Sequence, residues 1–436
     1  MVLSHQDGVA LFRSSAPYIN AHRGKTFVLM LGGEALQHEN FPHIIHDIAL
    51  LNSLGVRLVL VHGARPQVDE RIALRNIPPR FSHDKRITDN GTLECVKDAA
   101  GSARAHIEAL LTTGLPNSPM HGAQIRVCSG NLVVAKPAGV RDGVDLDHTG
   151  EVRRIDVEGI SDHLNDGSIV LLSPMGYSTT GEVFNLSHED VATNAAIALK
   201  ADKLIAFSSH QGIFNQSGKL LRTIERQQLE KLITDNEVEA EKTVLHALIS
   251  SVTAGIPRAH CISYEVDGAL LQELFTRDGC GSLVLENHYE QLRKATIDDV
   301  GGILALIKPL EESGALVTRS RERLEQEIEH FFVIVRDGMI IACAALYLFH
   351  EEKNGELACV ATHQEYRGKH RGERLLDAIK QSAKEQDIEH LFVLTTLTSH
   401  WFLEQGFVEA KIESLPTSKK ELYNFQRNSK VFQLPL

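Results

Sequence analysis

Residues 356–376 hold the densest chemistry in the chain: Glu356-Leu-Ala-Cys359-Val360-Ala-Thr-His-Gln-Glu-Tyr-Arg367-Gly368-Lys369-His370-Arg371-Gly372-Glu-Arg-Leu-Leu376. Residues 356–361 read as a strand, 367–372 as a loop rich in glycine and basic residues, and the rest as an opening helix. Amides at a helix N-terminus carry partial positive charge, and Arg367, Lys369 and Arg371 add full charges, so this segment suits a pyrophosphate. Glu356 precedes Val360 by four residues, and the strand period of two predicts that both share a face. A carboxylate so placed can take a proton from an incoming ammonium, directly or through water.

The elements around this segment form an ordered set. Thr296-Ile-Asp-Asp299 opens a helix with a capping box. Phe331–Val335 and Met339–Leu348 are strands joined by Asp337-Gly338, a hairpin signal. The strand through Glu356 follows, then a helix from about Gly372 to Glu385, the strand Leu391–Thr395, and a short helix ending at Gly406-Phe407. Upstream, Phe27–Leu31 and Leu58–Val61 are continuous apolar strands. Between them lies a helix carrying Ile44, Ile45, Ile48, Leu51 and Leu54, a parallel βαβ pattern. It recurs with Ser168–Leu172, the helix Glu189–Leu199 and the strand Lys203–Phe207. The reading is an α/β chain: a three-layer αβα domain with a mostly parallel sheet over 1–284, a polar linker over 285–291, and a smaller α+β domain with a mixed sheet over 292–436.

Composition sets outer bounds. The 436 residues carry a net charge of −12, with 43% hydrophobic and 23% charged residues, so nucleic acid and anionic membranes are poor default partners. The apolar run Met339–Phe349 is much shorter than the ~20 residues of a membrane helix. The N-terminus shows no basic-then-apolar signal pattern. The six cysteines never form a CxxC pair, which points to reduced thiols and a cytoplasmic protein. Among the 22 histidines, His43 and His46 are the only close pair, without an evident third ligand, so no metal is expected.

The order hairpin, strand, basic loop, helix, strand, helix, Gly-Phe resembles the GNAT acetyltransferases, whose coenzyme A loop reads Arg/Gln-x-x-Gly-x-Gly/Ala. Arg367-Gly-Lys-His-Arg-Gly372 matches, with His370 in place of the middle glycine. The resemblance implies acetyl-CoA as co-substrate, with no permanently bound cofactor. It also implies that backbone groups near Cys359 and Val360 pair with the pantetheine arm and the acetyl carbonyl, as an added strand and an oxyanion donor. The family's tyrosine acid is matched here by Phe402. Thr395, Thr396, Thr398 and Ser399 are the neighbouring hydroxyls.

Met30-Leu-Gly-Gly33, His62-Gly-Ala-Arg65, Arg86-Ile-Thr-Asp89, Phe184–Asp190 and Ala201-Asp-Lys-Leu204 follow the order of the amino-acid kinases, and most closely resemble acetylglutamate kinase. Met30 replaces the phosphate-binding lysine, Asn185-Leu-Ser-His-Glu replaces Asn-x-Asn-Ala-Asp, and Ser208-Ser-His-Gln211 replaces a nucleotide-side Thr-Asp; these losses imply a pseudokinase. Arg258–Ile262, Ala269–Gly281 and the N-terminal segment Phe12–Ile19 resemble the arginine-sensing parts of arginine-inhibited kinases. The resemblance makes Glu273 the partner of an arginine guanidinium, with Tyr18, Lys219, His260 and Gly279 beside it.

With both halves matched, the chain resembles the bacterial N-acetylglutamate synthases. The resemblance implies acetyl transfer to the α-amine of L-glutamate, the first step of arginine biosynthesis, with feedback inhibition by L-arginine. A dicarboxylate substrate needs cations, and Arg319, Arg427 and Ser429 are the chosen contacts. A homo-oligomer, a hexamer with the N-terminal helix at a subunit interface, is implied as well. A bifunctional synthase and kinase, or a non-catalytic arginine sensor, are the alternative readings of the same motifs.

Overall fold

The computed structural model describes residues 5–82, 85–114, 120–276, 279–286, 290–336, 339–368, 370–396, 398–421 and 429–436. The chain divides into two compact units, residues 1–288 and 289–436, each built on its own apolar clusters.

The first unit begins with helix α1 (His5–His22), followed by strand β1 (Thr26–Leu31), helix α2 (Phe41–Ser53) and strand β2 (Arg57–His62). Further strands are β3 (Val127–Cys128), β4 (Ile169–Leu172), β5 (Lys203–Ser208), β6 (Thr223–Glu225), β7 (Ala259–Ser263) and β8 (Ser282–Leu285). Helix α3 (His188–Leu199) precedes β5, and helix α4 (Ala269–Phe275) follows β7. The eight strands lie in the order β6-β8-β7-β5-β1-β2-β4-β3, and β7–β8 is the antiparallel pair in an otherwise parallel sheet. The apolar runs reflect burial on both faces. Phe27, Leu29 and Leu31 pack with Ile44, Ile45 and Ile48 of α2, while Val28 and Met30 pack with Val191, Ala192 and Ala195 of α3. A second sheet of four short strands, Val133–Pro137, Gly150–Ile155, Met175–Tyr177 and Val183–Asn185, lay beyond the sequence reading.

The second unit comprises β9 (Gln291–Lys294), α5 (Val300–Glu312), α6 (Arg321–Gln326), β10 (Phe331–Arg336), β11 (Met339–Phe349) and β12 (Asn354–Thr362). It continues with α7 (Arg371–Lys384), β13 (His390–Thr395), α8 (Ser399–Glu404), β14 (Val408–Ala410), α9 (Thr417–Glu421) and β15 (Lys430–Pro435). The sheet order is β9-β10-β11-β12-β13-β15-β14, mixed because β12 and β13 run parallel. The capping box at Thr296 and Asp299 is present ahead of α5, and β10 and β11 pair antiparallel; the Asp337-Gly338 turn itself lies outside the described residues. Helix α7 packs on one face through Leu375, Leu376 and Ile379. Helices α5 and α6 pack on the other through Ile303, Ile307 and Leu324.

Two irregularities in this sheet matter. First, β12 bulges against β11: Ala358 faces Ala345 and Ala361 faces Cys343, so Cys359 and Val360 together oppose Ala344. Cys359 has φ of +53°. This corrects the expected common face of Glu356 and Val360, because one inserted residue reverses the alternation. Glu356 stands opposite Tyr347 and beside Phe392, whereas Val360 packs into the α7-side core. Second, β12 and β13 are paired only from Asn354/His390 to Glu356/Phe392; beyond Glu356 neither strand has a ladder partner in the other.

Candidate active site

Glu356 therefore sits where the parallel pair opens. It is only 7% exposed. Its Oε2 lies 2.5 Å from Nζ of Lys419, on α9. That contact is a charge contact rather than an aligned hydrogen bond, since Oε2 has no acceptor geometry satisfied. Across the strand, the Tyr347 hydroxyl donates to Oε2 of Glu327 at 2.6 Å, and Arg323 Nε donates to Oε1 of Glu327 at 2.9 Å. Arg319 comes from the loop between α5 and α6. Its backbone N–H donates to Glu311 Oε1 at 2.9 Å, and its Nη1 donates to the Val317 carbonyl at 3.3 Å. Its Nε is buried with no acceptor. Burial works against the Arg319 charge, but Cys359, Tyr347 and Glu327 outweigh it and hold the pKa above the ordinary arginine value. A half-buried guanidinium with an open Nε donor is suited to a carboxylate ligand.

At the bulge the Cys343 thiol donates to the Cys359 carbonyl at 3.6 Å. Cys359 and Val360 lie beyond the paired stretch of β12 and β13, so the bulge borders the gap between those strands. The basic loop follows. Gly368 (φ +81°) and His370 (φ +53°) both adopt left-handed backbone, which explains why the GNAT pattern has a glycine where His370 stands. His370 is tied by Nδ1 to Glu373 Oε2 at 2.7 Å. Gly372 is a close-approach position: a Cβ there would come within 2.9 Å of the Trp401 ring. Arg371 is the first residue of α7. Its side chain, 4% exposed, turns away from the loop opening; Nη1 donates to the Tyr366 carbonyl at 2.6 Å, and Nε donates to Glu290 Oε1 at 3.0 Å. Arg374 binds the other oxygen of Glu290 at 2.8 Å. Arg371 thus braces the loop, and only its amide faces the helix N-terminus. Arg367 is exposed beside Gly368, whereas Lys369 lies outside the described residues.

Ser429 precedes β15, whose Lys430 pairs with Thr395 at the end of β13; Arg427 lies outside the described residues. Thr395 and Thr398 hydroxyls are 2.9 Å apart, and Thr395 Oγ1 accepts the Thr398 amide at 3.1 Å. Phe402 is a core residue, edge-on to Trp401 and Phe407.

In the first unit, Glu273 on α4 is a buried hub, its side chain 5% exposed. His260 Nδ1–H donates to Oε1 at 2.7 Å, and the Cys280 and Gly281 amides donate to Oε2 at 2.8 and 2.9 Å. Burial pushes against the Glu273 charge, but His260 and the two amides hold its pKa down at about 2. Lys203 lies 3.5 Å from His260 Nε2, and burial lowers its pKa to about 7. Gly279 has φ of +61°, and a Cβ there would strike Glu273 Oε2 at 2.3 Å. Lys219 is exposed on a turn whose neighbour Arg222 donates to the Gly279 carbonyl at 2.9 Å. Tyr18 is half-buried on α1, and the C-terminal His22 of that helix bonds the Leu274 carbonyl of α4 at 2.8 Å. The kinase-like motifs border a separate cavity of about 560 Å³, with Arg65, Lys85, Arg86, Asn185 and Glu189 on its wall. Met30 is not on that wall; it is fully buried under α3.

Residues 25–263 match the amino acid kinase family and residues 302–407 match the acetyltransferase (GNAT) family. The amino-acid acetyltransferase of Pseudomonas fluorescens is 54% identical over 97% of this chain and 98% of its own. The chain belongs to the amino-acid acetyltransferase family. It is therefore an acyltransferase, with an amino-acid-kinase-like fold ahead of a GNAT fold. N-acetylglutamate synthase from Neisseria gonorrhoeae, complexed with coenzyme A and L-arginine, is similar with a TM-score of 0.88, 35% identity, and coverage of 98% of this chain and 99% of that one. The same enzyme complexed with coenzyme A and N-acetyl-glutamate gives a TM-score of 0.61 at the same identity and coverage.

Sequence reasoning missed Tyr347, Glu327 and Lys419. Tyr347 is placed opposite Glu356 by the β11–β12 register, which the residues of either strand alone do not give. Lys419 and Glu327 come from segments whose local sequence carries no pattern pointing to the strand. Among the described residues, no group of three or more His, Cys, Asp or Glu could hold a metal, and no helix is long and apolar enough to cross a membrane. All six cysteines are free.

Proposed function

We propose that this enzyme transfers the acetyl group of acetyl-CoA to the α-amine of L-glutamate, giving N-acetyl-L-glutamate and coenzyme A. The observation that carries this is the buried Glu356 carboxylate at the point where β12 and β13 part, on the same sheet face as Tyr347, with the open donor of Arg319 near that tyrosine. The pantetheine arm adds to the free edge of β12 through the amides of Cys359 and Val360, and the pyrophosphate lies on Arg367, Lys369 and the amides of Gly368, His370, Arg371 and Gly372. Arg319, Arg427 and Ser429 take the two carboxylates of glutamate. Glu356 accepts a proton from the ammonium, and the amine attacks the thioester carbon. A bulge amide donates to the oxyanion, and as the C–S bond breaks the second proton of the attacking nitrogen passes to the departing thiolate, giving the amide and coenzyme A thiol.

L-arginine is the inhibitor in this reading, held in the first unit by Glu273, His260, Gly279, Lys219 and Tyr18, and the reaction opens arginine biosynthesis in the cytoplasm. The first unit is a pseudokinase, which the burial of Met30 in the core supports. The molecule works as a homo-oligomer, a hexamer by family resemblance. The ligands in the two Neisseria structures support both the acetyl-transfer and the arginine readings. Thiol release from acetyl-CoA, measured across a panel of amino acids with and without arginine, tests the whole proposal. Glutamate should be the preferred acceptor and arginine should suppress it; equal turnover across the panel would sink it.

A further inference from the structure

The Lys419 ammonium rests on Oε2 of the carboxylate that an incoming substrate ammonium approaches in this reading. Lys419 is itself 30% exposed in its side chain, and its helix is tied to the turn between β11 and β12, the Thr417 amide donating to Glu352 Oε1 at 3.3 Å. The anchored backbone presents the residue, and the four-carbon stem leaves the charged end free to swing. Two ammonium groups on one carboxylate repel each other. Binding of the acceptor therefore displaces Lys419 from Glu356, and the displaced cation is stable only where it finds another anion. An amino acid with a neutral side chain brings one carboxylate; one with an acidic side chain brings a second.

We propose that Lys419 is a specificity residue for an acidic amino-acid acceptor, pairing with Glu356 in the empty site and moving to the acceptor's side-chain carboxylate when it binds. The exchange favours a ligand that supplies the replacement anion, so recognition of the side chain is linked to release of the base. This rests on the reading of Glu356 as the base.

The test is steady-state thiol release by the full-length protein with glutamate and with glutamine as acceptors, for wild type, K419M, K419R and E356Q. Losing a charge-assisted contact should lower kcat/KM for glutamate in K419M by roughly 10- to 150-fold, mainly through KM. The value for glutamine should change little, so the preference for glutamate collapses. K419R should recover most of the preference. A purely structural role for Lys419 would lower both acceptors alike, and K419M with wild-type discrimination and KM would overturn the proposal. If K419M is poorly folded by circular dichroism, K419Q serves the same comparison, and equal losses with both acceptors overturn the proposal there too. The E356Q arm is separate: near wild-type kcat would remove Glu356 as the base, whatever K419M shows. Loss of kcat in E356Q alongside unchanged discrimination in K419M would remove Lys419 alone.

Discussion

Replacing Glu273 with glutamine tests the arginine site at the atom level. The carboxylate accepts three hydrogen bonds, from His260 Nδ1 at 2.7 Å and from the Cys280 and Gly281 amides at 2.8 and 2.9 Å. Glutamine keeps the shape and one acceptor oxygen, so the amides retain a partner while the charge is lost. A hydrogen bond to a charged group is worth about 1.5–3 kcal/mol and a neutral one about 0.5–1.5. The three bonds together therefore weaken by a few kcal/mol at most. Removing a charge from a side chain only 5% exposed recovers part of that. Lys203, whose pKa burial already lowers to about 7, can shed its proton once the nearby anion is gone. The fold should survive with a modest drop in Tm. If the arginine guanidinium joins this hub, arginine loses a charge-assisted pair, and its inhibition constant should rise roughly 10- to 150-fold. Glutamate and acetyl-CoA kinetics without arginine should stay near wild type, because the proposed catalytic residues belong to the other unit. Arginine titrations of thiol release and of calorimetric heat give both quantities. A folded E273Q enzyme inhibited by arginine as tightly as wild type would refute the assignment of Glu273.

Three further outcomes are expected. Glu356→Gln should lower kcat by about 10²-fold or more with little change in the KM for acetyl-CoA, since it removes a general base and leaves the basic loop untouched; pH–rate profiles with near wild-type turnover would exclude it. Incubation of the protein with ATP, Mg²⁺ and N-acetylglutamate should give no hydroxamate-trappable acyl phosphate, and any signal above a no-enzyme blank would revive the bifunctional reading. Burial holds the pKa of His22, His62 and His260 down at about 4, against an ordinary 6.5, so the unfolded chain binds protons that the folded chain refuses between those values. Burial works oppositely on Asp47, raising it to about 7 from 3.8, so folding binds one proton across the same range. The net effect is that stability falls as pH drops from 6.5 toward 4.5, with a slope approaching roughly 3 kcal/mol per pH unit for two net protons; chemical denaturation at a series of pH values would reveal a flat or inverted trend if these histidines are charged in the fold.

The two cores and the order of their elements are legible in the residues alone. Runs such as Phe27–Leu31 and Leu58–Val61 bury both faces, and the helices carry apolar stripes at helical spacing, so both patterns are local and survive in one dimension. The loop from Arg367 to Gly372 is legible too, because a Gly-containing loop before a helix is a contiguous signal. What the tertiary structure alone decided is where side chains point once strands are paired. The bulge at Cys359 and Val360 sends Glu356 to the face opposite Val360, a change made by the register against β11 and not by the residues of β12. Arg371 reads as a phosphate ligand in the loop, yet Glu290, 81 positions upstream, claims it. Glu273, expected from the resemblance as a guanidinium partner, is closed in by His260 and the amides of Cys280 and Gly281, which no local pattern announces. Lys419 reaches Glu356 from 63 positions downstream. Each of these depends on a pairing between distant segments, whose charges and hydrogen bonds are chosen by proximity in space, and proximity in space is the one property that a linear pattern does not carry.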